Sequence, residues 1–203
     1  MVSASNRAAA EALAAWPDAV GGALALVGPE GAGKSHLAAD WAERTGAVML
    51  NDVAAELANL SEFEGRPVVL DGAESVDDET LFHLINLAQA EGGALLLTAR
   101  TPPSAWETAL PDLRSRLNAI RVVQVHEPDD DVLKGVLQRL FADRAITPSP
   151  ELIEYLARRI ERSIPAARRI VAELDADAGS RPITRALARE LLEKEPAGGD
   201  LFD

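Results

Sequence analysis

The chain has 203 residues, 47% of them apolar, enough for one α/β domain and a small appendage. It contains no cysteine, which excludes disulfides, thiol catalysis and cysteine-ligated zinc and suits a reducing cytoplasm. Twenty basic and thirty-three acidic residues leave a formal charge of −13, so nonspecific attraction to a polyanionic duplex is not expected, and nucleotide and protein partners come first.

No apolar run reaches the ~18 residues of a membrane-spanning helix. Met1 to Ala10 shows neither the basic start nor the apolar core of a secretory signal, so a cytoplasmic location is expected. His36, His83 and His126 are too scattered for a metal-ligand spacing.

Ser3-Ala4-Ser5-Asn6 supplies N-cap candidates for an alanine-rich helix from about Arg7 to Trp16, which Pro17 stops. Ala23 to Val27 is an apolar strand. It delivers the chain to Gly28-Pro29-Glu30-Gly31-Ala32-Gly33-Lys34-Ser35, a match to G-x-x-x-x-G-K-[ST] followed by a helix from Lys34 to about Glu43. Strand, glycine-rich loop and helix in this order let backbone N–H groups curl around a phosphate, with the helix N-terminus adding its dipole. Lys34 then reaches the outer phosphates and the Ser35 hydroxyl holds Mg²⁺.

Ala47 to Leu50 is a short strand, and Asn51 to Phe63 is weakly helical up to Gly65-Arg66-Pro67. Val68-Val69-Leu70-Asp71 is a buried strand ending in a carboxylate, which beside a phosphate loop aims Asp71 at Mg²⁺ or its water shell. Asp77-Asp78 caps a helix to about Ala90, Ala94 to Thr98 is the next strand, Leu110 to Leu117 a short helix, and Val122 to Val125 a fifth strand. Strands that are almost wholly apolar and alternate with helices predict a parallel sheet covered on both faces, with ligand at the strand C-terminal ends.

The pattern changes at Pro128. Helices are predicted at about 129–144, 150–161, 164–175 and 184–194, with no strand between them. The densest basic cluster, Arg158, Arg159, Arg162, Arg168 and Arg169, falls here and reads as a solvated helix face with acidic partners. The organisation expected is an α/β nucleotide-binding core over 1–127, a helical lid over 128–194 and a flexible tail over 195–203.

Several pieces together resemble the DnaA/Hda family of bacterial AAA+ replication proteins, from about Val2 to Leu192. They are Val2 to Arg7, similar to the segment packing on base and ribose; Gly33-Lys34-Ser35-His36-Leu37; Leu97-Thr98-Ala99-Arg100-Thr101-Pro102-Pro103, similar to the sensor I strand; and Leu113-Arg114-Ser115-Arg116-Leu117, similar to the L-x-S-R-[FL] segment bearing the arginine finger. The resemblance implies a P-loop AAA+ core with a five-stranded parallel sheet between helices, then a small all-α lid. It implies ADP or ATP with Mg²⁺ as cofactors, Thr98 sensing the γ-phosphate region, His36 beside the loop, and Arg116 acting in trans.

Three departures stand out. Gly72 occupies the position where such ATPases carry a water-activating acid, with Glu74 two residues displaced. Pro165 takes the place of the lid's sensor arginine, and Arg168 stands about one turn on as its substitute. The family's clamp-binding peptide, which normally lies ahead of the core, is not expected there, whereas Asp200-Leu201-Phe202 at the other end resembles the last positions of one. The sequence also stops where DnaA would continue into a DNA-binding domain, so no direct sequence-specific DNA binding is expected.

The reading this supports is an Hda-like regulator with weak or no ATPase of its own. Its partners would be DnaA and the DNA polymerase III sliding clamp, with homo-oligomerisation left open. Two alternatives stand beside it: a helicase-loader-like ATPase, and a non-catalytic clamp-binding adaptor.

Overall fold

The apolar runs fold as five parallel strands in a computed structural model that describes residues 3–16, 22–179 and 181–194. They are β1 (Gly22–Val27), β2 (Val48–Asn51), β3 (Pro67–Asp71), β4 (Ala94–Ala99) and β5 (Arg121–Gln124), in the order β2-β3-β4-β1-β5. Parallel pairing sets Val27 opposite Ala99 and Asp71 opposite Thr98. The C-terminal ends of β1, β3 and β4 therefore share one rim of the sheet, where ligands of such folds bind.

Successive side chains of a strand point to opposite faces, and each face has its own helices. Leu24, Leu26, Val69 and Leu96 form one core with Leu13 and Trp16, around helix α1 (Arg7–Ala14), and with Ala38 and Trp41 of α2 (Lys34–Thr45). The Trp16 and Trp41 rings stack at 5.0 Å, and Trp41 Nε1 donates to the Trp16 carbonyl at 3.0 Å. On the other face Ala25, Leu70, Leu95 and Leu97 meet Leu81, Leu84 and Ile85 of α4 (Asp78–Leu87) and Leu113 and Leu117 of α5 (Pro111–Ala119).

The stretch read as one weak helix over 51–63 is two. Helix α3 (Asp52–Leu57), capped by Asn51 accepting from Ala54 N at 2.8 Å, is followed by a separate 3-10 turn, Leu60–Phe63. Ala58 between them is extended, and the Asn59 side chain accepts from Ser61 Oγ at 2.8 Å, a local bond that competes with helix continuation.

The chain divides between Glu127 and Pro128 into two compact units. The second holds α6 (Asp130–Ala142), α7 (Pro150–Arg159), α8 (Ile164–Ala178) and α9 (Arg185–Lys194), with no strand among its described residues. Its core gathers Leu133, Leu137, Phe141, Leu152, Leu156, Val171 and Leu174. Asp129, Ser149 and Ser163 cap α6, α7 and α8 by accepting from the backbone N–H three residues on. The basic cluster is partly neutralised, through Arg162–Asp130 at 2.7 Å and Arg169–Glu173 at 3.9 Å.

Candidate functional site

The phosphate loop begins where β1 ends, and the exit of β5 dictates its first residue. A Cβ placed on Gly28 would stand 2.0 Å from the Val125 carbonyl oxygen, so only glycine lets the two segments pass. At the other end Gly33, at φ +95°, turns the chain into the first turn of α2. Between them Pro29 and Glu30 are exposed and Ala32 is buried, its N–H donating to the Pro29 carbonyl at 3.3 Å. His36 is exposed on α2.

Lys34 is buried, and its Nζ donates to the carbonyls of Gly28 and Pro29 at 2.8 Å each. Burial lowers its pKa below the ordinary lysine value. Glu74 and Asp71 pull it back up, Arg100 lowers it, and Glu30 raises it by a smaller amount. The ammonium thus sits in a pocket that disfavours an isolated cation and gains from added negative charge.

Ser35, Asp71 and Thr98 come from three different elements and meet. Ser35 Oγ donates to Asp71 Oδ1 at 2.8 Å, and the hydroxyl of buried Thr98 donates to the same oxygen. The Gly72 N–H in turn donates to Thr98 Oγ1 at 3.1 Å. A carboxylate oxygen beside a serine hydroxyl is a hard oxygen pair of the kind Mg²⁺ takes when phosphate oxygens and water complete its shell. Among the described residues no group of three or more His, Cys, Asp or Glu could hold a metal alone.

Gly72, at φ +75° and with open space where a Cβ would stand, has itself no side chain to offer the site. Glu74 is anchored instead. Its Oε1 accepts from the Arg100 backbone N–H at 3.0 Å and from Arg100 Nε at 3.3 Å, while Oε2 is buried without a hydrogen-bond partner. Arg100 Nη1 also lies 3.9 Å from Glu30 of the loop. Sequence reasoning missed Arg100 in this role, since nothing local links residues 26 positions apart.

Arg116 is half-buried on α5, its guanidinium 5.1 Å from the centre of the Phe82 ring on α4, and it has no ion pair among the described residues. The neighbouring Arg114 is committed, donating to the carbonyls of Ser104 and Trp106. Phe82 was not singled out by sequence, where it reads as one more apolar position of an amphipathic helix.

Arg168 is exposed on α8 in the second unit. Pro165 fits that helix because it occupies the first turn, where its missing N–H has no intrahelical partner to lose. Asp200, Leu201 and Phe202 lie outside the described residues.

No protein-family model matches the chain. It is 33% identical over 114 residues to the chromosomal replication initiator protein DnaA of Caulobacter vibrioides, a match covering 53% of this chain and 23% of that one. It is 36% identical over 116 residues to an uncharacterized protein of Haemophilus influenzae, covering 54% of this chain and 49% of that one. The chain spans about a quarter of the length of the DnaA proteins it matches. Among solved structures, domain III of Thermotoga maritima DnaA aligns with a TM-score of 0.75 at 17% identity, over 95% of this chain and 93% of that one. A DnaA bound to AMPPCP and single-stranded DNA aligns with a TM-score of 0.69 at 17% identity, over 95% of this chain and 66% of that one. The fold is that of the AAA+ domain of DnaA, and the sequence likeness to DnaA runs through about half the chain.

Proposed function

We propose that the chain is a DnaA-like regulator of replication initiation that binds ADP or ATP with Mg²⁺ and stimulates hydrolysis of ATP bound to DnaA. Residues Gly28 to Gly33 wrap the phosphates, Lys34 neutralises them, and Ser35 and Asp71 hold Mg²⁺. Thr98 reports on the γ-phosphate region. The neighbouring DnaA bound to AMPPCP supports the nucleotide, and the Ser35–Asp71 pair supports the metal.

The observation that carries the regulatory half is the state of Arg116. Its guanidinium has no carboxylate partner among the described residues and keeps its N–H donors for another anion. Offered across an interface, such a group stabilises charge developing on the γ-phosphoryl oxygens, with rate effects of ~10³–10⁵ in related systems. The chain's own site, with Gly72 in place of an acid, is suited to holding nucleotide rather than turning it over. In this reading the chain works in an Hda-like manner on the DNA polymerase III sliding clamp, held there by Asp200-Leu201-Phe202.

One observation favours a second reading, a helicase-loader-like ATPase. Glu74 Oε2 is buried and unpartnered close to Lys34 and could orient a water itself. Two turnover measurements separate the readings. Slow hydrolysis by the chain alone, unaltered by Glu74→Gln, together with faster ATP loss from DnaA when the chain is added, supports the regulator. Fast hydrolysis that Lys34→Ala and Glu74→Gln both abolish supports the ATPase.

A further inference from the structure

The Phe82 ring that Arg116 lies over is partly buried and packs against the core. Phe82 packs against the cluster that holds Leu81, Leu84, Leu113 and Leu117, and His83 meets its ring edge-on at 6.4 Å. A ring so anchored offers Arg116 a fixed surface rather than a mobile one. The chemistry of the contact matters as much as its rigidity. A guanidinium paired with a carboxylate is neutralised and has its donors engaged, whereas one over an aromatic face is attracted by the ring quadrupole and keeps both charge and donors. Arg44 and Arg100 in the same unit are ion-paired, and Arg114 is bound to carbonyls. Arg116 is restrained without being neutralised.

We infer that Phe82 is a positioning residue for Arg116, holding its guanidinium in a limited set of poses so that it meets the triphosphate of a neighbouring P-loop protein already oriented. This rests on the reading of Arg116 as a group acting in trans. Orientation supplied before the reaction lowers the barrier without altering how tightly the two proteins bind, so its loss falls on maximal rate rather than on half-saturation.

The test uses ATP-loaded DnaA with clamp loaded on DNA, titrated with the wild type, Phe82→Leu, Phe82→Tyr and Arg116→Ala. Maximal rate, half-saturating concentration and thermal melt are read for each. Phe82→Leu, which keeps apolar bulk and removes the quadrupole, is expected to lower the maximal rate about two- to fivefold with half-saturation unchanged. Phe82→Tyr, which keeps the ring, restores it, and Arg116→Ala abolishes stimulation. If Phe82→Leu is unfolded at the assay temperature, Phe82→Met carries the same expectation. A Phe82→Leu rate equal to or above the wild type, with Arg116→Ala inactive, overturns the inference and leaves the Arg116 reading standing. Full activity of Arg116→Ala overturns the reading beneath it.

Discussion

The Ser35 hydroxyl donates to Asp71 at 2.8 Å across 36 positions of sequence, closing the rim between the phosphate loop and the strand two places away in the sheet. That one bond depends on the register that puts the ends of β1, β3 and β4 level. It is also what a nucleotide-bound Mg²⁺ would exploit.

Adenine nucleotide with Mg²⁺ is expected to stabilise the protein against heat. A ligand bound only by the folded state adds about 2.7 kcal/mol at a hundredfold excess over Kd. For a chain of this size that moves the melt by roughly 5–10 °C. Differential scanning fluorimetry with and without millimolar MgADP checks it. The shift should vanish in Lys34→Ala and shrink in Asp71→Asn, and an unmoved wild-type melt would refute nucleotide binding.

Two glycine substitutions should behave differently for different reasons. Gly28→Ala forces a Cβ against the Val125 backbone, and overpacking of that kind costs about 1–3 kcal/mol or more. Gly72→Ala meets only open space, and its left-handed φ costs about 1–2 kcal/mol. Gly28→Ala is therefore expected to lose nucleotide as well as stability, while Gly72→Ala retains nucleotide. Equal nucleotide affinity for both variants in a titration would contradict the geometry of the loop.

This contrast shows how unevenly the sequence could be read. The strands were legible because a doubly covered parallel strand is apolar at nearly every position, as Leu24 to Val27 and Leu95 to Leu97 are. Asp71 was legible as a carboxylate at the end of such a run, and Thr98 only through the likeness of its strand to sensor I. The reason Gly28 must be glycine was not, because the obstacle is a carbonyl almost a hundred residues later. The same holds for Glu74 with Arg100 and for Phe82 with Arg116, pairs that tertiary packing brings together without a local periodic signal.

Lys34 supplies a pH signature. Because burial lowers its pKa in the folded state from 10.5, the unfolded chain binds more protons between the lowered value and 10.5. Stability from this group therefore rises with pH across that window, and the cost of burying its charge is full below it. Bound polyphosphate adds negative charge and should raise the Lys34 pKa again. With only Lys34, Lys134 and Lys194 in the chain, ¹⁵N spectra of the ammonium groups can follow it. A Lys34 pKa that stays fixed or falls on adding MgADP would contradict the assignment.

The tail is expected to bind the sliding clamp weakly. Burying Leu201 and Phe202 yields ~1.5–3 kcal/mol each, set against ~1–2 kcal/mol for each backbone residue ordered, so affinity should be micromolar at best. Titrating purified clamp with the wild type and with a Leu201→Ala/Phe202→Ala double variant reads this directly. Indistinguishable binding by the two would remove the tail as the anchor.

The central claim is that the chain acts on nucleotide held by another protein, and single-turnover hydrolysis of ATP on DnaA tests it most directly. ATP-loaded DnaA is mixed with clamp on DNA, with and without this chain, and the conversion to ADP is followed. The account predicts at least a tenfold faster conversion with the wild type, lost on Arg116→Ala while the variant still binds nucleotide and melts normally. A DnaA conversion rate the same with and without the wild-type chain would contradict it.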